Sequence, residues 1–597
     1  MSPVQPLGSR AVLDAWTRAL KLTGTIDPNP RRLLSDIIDE VAIAHGDAPA
    51  LLSDDADLTY RQLSERINRT SRWALAQGIR KGDVVGLLMP NQPDYLAIWL
   101  GITRVGGIVA LFNDQITEAG LDHCIAVTAP SHIISSSDLC HSARASRDRS
   151  GVSCVLWAHD GGVPDLERID TAIDRFSGAP LSAAERPPVE ITDRALYIFT
   201  SGTTGLPKAA NVSHRRVLTW SLWFAGLMDV TPADRMYDCL PMHHSVGGVV
   251  AIGSLLVRGG SVVLRKKFSA RDFWDDVVRS QCTLFQYIGE LCRYLVNTPP
   301  APAEVQHQLR ICLGNGLRAD VWESFQSRFN IPQIVEFYAA SEGCFSLVNL
   351  EGKPGAVGRV PVFLSHRFPA EIVKFDSERE QPLRTDEGLC VRCSADDIGE
   401  AIGKLDVDAG GATRFEGYSN AEETERKILR DVFVKGDAWF RTGDLMRRDE
   451  ANFFYFVDRI GDTFRWKGEN VSTSQVAAVL DTCPGVQEST VYGVSIPGAD
   501  GRAGMAALVV DPTFDARDLA AVVARDLPGY AQPLFLRLQD RIETTATFKQ
   551  QKRDLQREGF DPSRCGDPLF IYDKREARYR ALDPVDFERI QRSDFAF

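Results

Sequence analysis

Tyr197-Ile198-Phe199-Thr200-Ser201-Gly202-Thr203-Thr204-Gly205-Leu206-Pro207-Lys208 is a short β-type run leading into a loop of hydroxyl residues and glycines that a lysine closes. Such a loop can wrap a polyphosphate. Glycine lets backbone N–H groups approach the oxygens, hydroxyls add donors, and lysine adds a point charge. It is not a Walker A loop, because the Gly-x-x-x-x-Gly-Lys-Ser/Thr spacing is absent. Taken alone it is equally well a generic Gly/Ser/Thr turn. The rest of the chain must supply what a nucleotide site needs.

With 597 residues the chain is too long for one core, so two or more domains are expected. Hydrophobic residues make up 44% and charged residues 25%, which excludes a wholly disordered chain. The net charge of -12 argues against a nucleic-acid-binding surface. Twelve cysteines are scattered without a framework, and Cys390 and Cys393 form a lone Cys-x-x-Cys. Buried reduced thiols of a cytoplasmic protein are the expectation. Residues 1–32 are broken by prolines and charges, and nowhere do about 18 uncharged apolar residues run together. Neither secretion nor a transmembrane anchor is expected.

Upstream of the loop, helices are expected at 33–44, 61–77 and 93–105. A hairpin is expected at 50–52 and 57–60, and strands at 84–89 and 106–111. This alternation implies a mostly parallel, helix-covered sheet. Residues 135–190, richer in Ser, Asp, Pro and Ala, read as surface structure. Downstream, two strands run into polar loops: 310–313 into Gly314-Asn315-Gly316, and 334–338 into Ala339-Ala340-Ser341-Glu342-Gly343. Glycines and short strands from about 355 to 458 suggest a small β-rich subdomain, and a new α/β pattern starts near Gly461.

Several polar clusters lie just beyond predicted strands, where open α/β sheets bind ligands. They are the opening loop, His243-His244, Gly314-Asn315-Gly316, Tyr338 to Glu342, Thr442-Gly443-Asp444 and Asp458-Arg459. In this order they resemble the adenylate-forming superfamily of acyl-CoA synthetases and luciferases. The stretch Asp458-Arg459-Ile460-Gly461-Asp462-Thr463-Phe464-Arg465-Trp466-Lys467-Gly468-Glu469-Asn470-Val471 is similar to the fatty acid transport protein and very-long-chain acyl-CoA synthetase family.

The resemblance implies an α/β fold: a large N-terminal domain, 1–459, of two doubly wound sheets with a small β-rich barrel-like subdomain, and a smaller mobile α+β C-terminal domain, 460–597. It implies ATP, magnesium and coenzyme A, with a hydrophobic carboxylic acid or its adenylate as partner; a homodimer is compatible with it. Thr200, Ser201, Gly202, Thr203, Thr204, Gly205 and Lys208 would hold phosphates, and Glu342 with Thr204 the metal. Ser341 would bond the α-phosphate. Tyr338 would stack on adenine, beside Gly314, Asn315 and Gly316. Asp444 and Arg459 would take the ribose, and His244 would stand at the acyl pocket. Lys549 would bridge carboxylate and α-phosphate in the first step, while Arg465, Lys467 and Gly468 would close the coenzyme A side in the second. The acyl pocket would be lined from 220–228, 246–252 and 287–294. This sequence departs from the family at His243, Cys344, Arg441 and Ala546, which leaves open a chain that mainly runs the thioester step; a ligase that loads a carrier protein is a separate alternative, against which the coenzyme A-side stretch Arg465 to Val471 speaks.

Overall fold

A computed structural model of the chain describes residues 8–594 apart from 117, 201–205, 377–378, 406–414, 468, 500, 545–549 and 575. The run Arg194–Thr200 lies in a seven-stranded sheet ordered Glu167–Arg168, Val155–His159, His132–Ser136, Val84–Leu88, Ile108–Leu111, Arg194–Thr200, Lys208–Ser213. Its pairs are parallel except the last, where Thr200 faces Lys208 in antiparallel register. A second sheet has eight strands, parallel through Ile334–Ala339, Ile311–Asn315, Leu284–Ile288, Arg235–Asp238, Ser261–Leu264 and Pro49–Leu52, with an antiparallel strand at each edge. Strands that alternate with helices in sequence are covered on both faces, which is why Val84–Leu88 and Ile108–Leu111 are apolar at nearly every position. These are the two doubly wound sheets.

One expectation needs correction. Residues 135–190 do not form a mere surface layer. The strands His132–Ser136 and Val155–His159, joined by the helix Cys140–Ser150, extend the first sheet. The sequence hid them because His132, Ser135, Ser136 and His159 are polar yet buried. Residues 1–32 contain the helix Ser9–Thr23, whose Val12, Ala15, Trp16 and Ala19 recur at helical spacing and are buried. Of the predicted helices, 33–44, 61–77 and 93–105 correspond to Leu34–His45, Tyr60–Ala76 and Pro93–Arg104.

By its contacts the chain divides into a unit of residues 1–368 and 404–428 and a unit of 369–403 and 429–597. In the second unit, antiparallel strands including Ala370–Asp376, Gly399–Lys404, Ala438–Arg448 and Phe454–Arg459 make the barrel-like sheet. A mixed five-stranded sheet follows, ordered Val486–Ser495, Arg502–Val510, Phe535–Leu538, Leu569–Asp573, Arg578–Ala581, with a core around Tyr492, Met505, Phe535 and Ile571. Every cysteine is reduced, and Cys390 and Cys393 are buried. Among the described residues no group of three or more His, Cys, Asp or Glu side chains could by itself hold a metal, and no helix is long and apolar enough to cross a membrane.

Candidate active site

In the first unit the sequence motifs converge on Tyr418. Its hydroxyl donates to Glu342 Oε1 at 2.6 Å and also bonds the side chain of Thr200, where the phosphate loop begins. Both Tyr418 and Glu342 are buried. Burial first, then the facing carboxylate, pushes the Tyr418 phenol up, so it stays a neutral donor. Lys427 Nζ stands 3.8 Å from the same Glu342 oxygen. Lys208 Nζ pairs with Glu423 and lies 5.8 Å from the centroid of the Tyr418 ring. Ser201, Gly202, Thr203, Thr204 and Gly205 lie outside the described residues.

The loop carrying Glu342 is gripped from behind. Arg216, on the helix His214–Leu227, donates to the carbonyls of Ser341 at 3.1 Å and Gly343 at 2.6 Å. Its Nε is 3.5 Å from Glu416, which accepts from Ser213 N at 2.7 Å and Ser213 Oγ at 2.6 Å. Ser341 Oγ shares a hydrogen bond of 2.9 Å with Ser245 Oγ.

The second polar edge is built on Glu336. Its buried carboxylate accepts from Tyr287 Oη at 2.5 Å, from Gly316 N at 2.5 Å and from Leu317 N at 3.2 Å. Burial pushes this carboxyl up to about 8, against the opposing pull of those three hydrogen bonds. Gly316 turns at φ +81, a region that suits glycine. Among the described residues Asn315 Oδ1 is buried without a partner. Tyr338 is the penultimate residue of the strand Ile334–Ala339, half-buried, with its ring edge-on to Phe345 at 5.6 Å. The Gly314-Asn315-Gly316 turn and Tyr338 thus lie at the ends of neighbouring parallel strands.

His244 is half-buried and its ring centroid is 4.5 Å from that of His243. His243 is buried, 3.8 Å from Asp114, and burial lowers its pKa to about 3, so it is a neutral imidazole. A cavity of about 120 Å³, the volume available to the centre of a water molecule, lies beside Ser245, and neither His243 nor His244 is among its lining residues. Ser245, Ser341 and Cys344 border it, and Trp16, Trp220, Trp223, Phe224 and Phe337 make its apolar walls. The segments 220–228 and 246–252 contribute to this cavity, and no residue of 287–294 is among its lining residues. Tyr287 is instead buried and committed to Glu336.

The second unit holds the remaining candidates. Asp444 and Arg459 face each other across an antiparallel pair, 4.0 Å apart. Gly443 turns at φ +79, and Arg441 is fixed by Glu400 at 2.7 Å. Buried Asp458 accepts from Thr473 N at 2.6 Å, and Lys552 donates to Thr473 Oγ1 at 2.7 Å and stands 3.5 Å from Asp462. This network braces the stretch 458–462, where the expected N-terminal domain meets the C-terminal one. Arg465 lies in the strand Phe464–Trp466, and Lys467 turns at φ +53 with Nζ 5.7 Å from the Trp466 ring. Gly468 and Lys549 lie outside the described residues.

Sequence reading missed Tyr418, Arg216, Glu416, Glu423 and Glu336. Glu416-Gly417-Tyr418-Ser419 is another glycine-bearing polar cluster, and its pairing with Ala209 to Asn211 is the signal that only folding supplies.

Residues 38–391 match the model of the AMP-binding enzyme family, and 475–549 match the AMP-binding enzyme C-terminal domain. The chain is 39% identical to long-chain fatty acid transport protein 1 of Mus musculus over 90% of its own length and 84% of that protein. Its fold is similar to that of the anthranilate CoA ligase AuaEII, solved with anthranoyl-AMP, with TM-score 0.76 and 19% identity over 88% of this chain and 96% of that one. It is similar too to ATP-bound MatB from Rhodopseudomonas palustris, with TM-score 0.72 and 22% identity over 88% and 98%.

Proposed function

The chain belongs to the AMP-binding enzyme family, with the long-chain fatty acid transport proteins among its relatives, and from that premise we propose that it is an acyl-CoA ligase for a bulky or long-chain hydrophobic carboxylic acid. In the first step the carboxylate attacks the α-phosphorus of ATP and pyrophosphate leaves. In the second the thiolate of coenzyme A attacks the acyl carbon and AMP leaves. The observation that supports this reading best is the joining, within one unit, of a polar edge carrying Thr200, Lys208, Ser341 and Glu342 to a cavity with aromatic walls. An amphiphilic acid has the matching shape, with its carboxylate at the polar edge and its apolar body in the cavity.

Glu342 offers the carboxylate oxygens that suit a hard cation, so the residues present fit magnesium, which when bound would neutralise phosphate charge. Tyr418 orients that carboxylate, and Lys208 and the loop at 201–205 receive the outer phosphates. Tyr338 and the 314–316 turn take adenine, and Asp444 with Arg459 takes the ribose. Lys549 offsets the charge of the two anions brought together in the first step. Arg465, Lys467 and Gly468 serve the second, with the domain 460–597 alternating between the two about 458–462. His244 stands at the acyl entrance, and the reading places the enzyme in the cytoplasm.

The test separates the half-reactions. Pyrophosphate exchange is assayed with a panel of hydrophobic acids, and thioester formation with a synthetic acyl adenylate and coenzyme A. Both activities mark a complete ligase. Thioester formation alone marks a chain specialised for the second step, which the departures at His243 and Cys344 would explain. Transfer to a carrier protein but not to coenzyme A marks the carrier-loading alternative. Absence of all three overturns the reading.

A further inference from the structure

One wall of the apolar cavity comes from a segment that the family match does not reach. The helix Ser9–Thr23 lies upstream of residue 38, where the matched residues begin. Trp16 on this helix lines the cavity and is 5% exposed. Its ring stands edge-on to Trp223 with centroids 5.5 Å apart, and Trp223 stands edge-on to Phe368 at 5.7 Å. Trp223 follows Arg216 by two turns of one helix, about 10 Å at a rise of roughly 1.5 Å per residue. Arg216 grips the loop that carries Ser341 and Glu342, so Trp16 packs against a residue two helical turns away from that grip.

The helix is held in place. Arg18 donates to the Gly226 carbonyl at 3.2 Å and pairs with Asp229 at 3.3 Å. The backbones meet so closely that a Cβ added at Gly226 would lie 2.5 Å from Ala19 Cα. A wall of this kind is close-packed and yields little to an extra methylene.

We propose that Trp16 determines specificity: it is the end wall that limits the length of the acyl group, so that within the class proposed above this enzyme prefers a bulky, compact acid to an extended palmitoyl chain. The inference rests on the ligase reading above and narrows its substrate class.

The test compares the 597-residue parent with Trp16→Ala and Gly226→Ala across straight-chain acids from octanoate to stearate. Two readouts are taken: kcat/KM for thioester formation, and displacement of a bound fluorescent fatty acid, which needs no turnover. Trp16→Ala is expected to raise the stearate-to-octanoate ratio of kcat/KM by at least about tenfold. Gly226→Ala keeps Trp16 but forces its helix outward, and shifts the ratio the same way. If Trp16→Ala does not fold, Gly226→Ala and Trp16→Leu carry the comparison by the same criterion. An unchanged ratio in the folded variants overturns the inference. A parent that activates no acid overturns the ligase reading instead, and the displacement series still decides whether Trp16 limits length.

Discussion

Glu336→Gln offers a quantitative test of how the candidate nucleotide edge is held. The Glu336 carboxyl titrates at an ordinary value of 4.5 when solvated, and burial in the fold raises it to about 8. Between those values the folded protein keeps a proton that the unfolded chain has released. Stability therefore falls as pH rises from 4.5 to about 8, and the full cost is present above 8. At about 1.4 kcal/mol per pH unit, the rise corresponds to a cost of about 3–5 kcal/mol. Glutamine keeps an oxygen for the Gly316 and Leu317 amides and carries no charge to bury, at the loss of about 1 kcal/mol in its bond with Tyr287. The variant is expected to be slightly less stable than the parent near pH 5 and about 2–4 kcal/mol more stable near pH 8. Urea unfolding followed by tryptophan fluorescence, at a series of pH values across that window, measures the difference. A parent-to-variant difference that does not change with pH would refute the reasoning, because it would mean that Glu336 is not held protonated by burial.

Tyr418→Phe keeps the ring and removes the bond to Glu342; pyrophosphate exchange is expected to fall by up to about tenfold, while thioester formation from a supplied adenylate stays unchanged. Equal losses in both half-reactions would contradict a role confined to the first. Lys549→Ala should lower the exchange rate by about 10²–10³ and spare the second step, as single-turnover assays of each step would show. Arg216→Met leaves Glu416 and the carbonyls of Ser341 and Gly343 without their cation. A loss of about 3–5 kcal/mol is expected in denaturant titration, and a parent-like midpoint would show that the grip on this loop is dispensable.

Much of the fold was legible because its signals are local. Short apolar runs that follow a glycine turn, such as Val84–Leu88 and Ile108–Leu111, announce strands covered on both faces. Runs that end in polar residues, such as Ile311–Asn315 and Ile334–Ala339, announce strand-to-loop edges. The strands at His132–Ser136 and Val155–His159 were not legible. Their buried positions are polar, and neighbouring strands and helices rather than their own composition decide their burial. The helix Ser9–Thr23 was hidden between proline-rich flanks, its apolar stripe informative only against a partner helix.

The sequence by itself determined the chemistry on offer: a hydroxyl- and glycine-rich loop closed by Lys208, a carboxylate at Glu342, a glycine turn at 314–316 and a tyrosine at 338. These are readable because each is a contiguous run whose residue types carry their own backbone and hydrogen-bonding preferences. Tertiary structure alone decided which distant groups complete them. Tyr418 reaches Glu342 across 76 residues, Arg216 reaches Gly343 across 127, and Trp16 meets Trp223 from outside the matched family region. Such pairings depend on two packed elements arriving at one place, and no local pattern records where the other element will be.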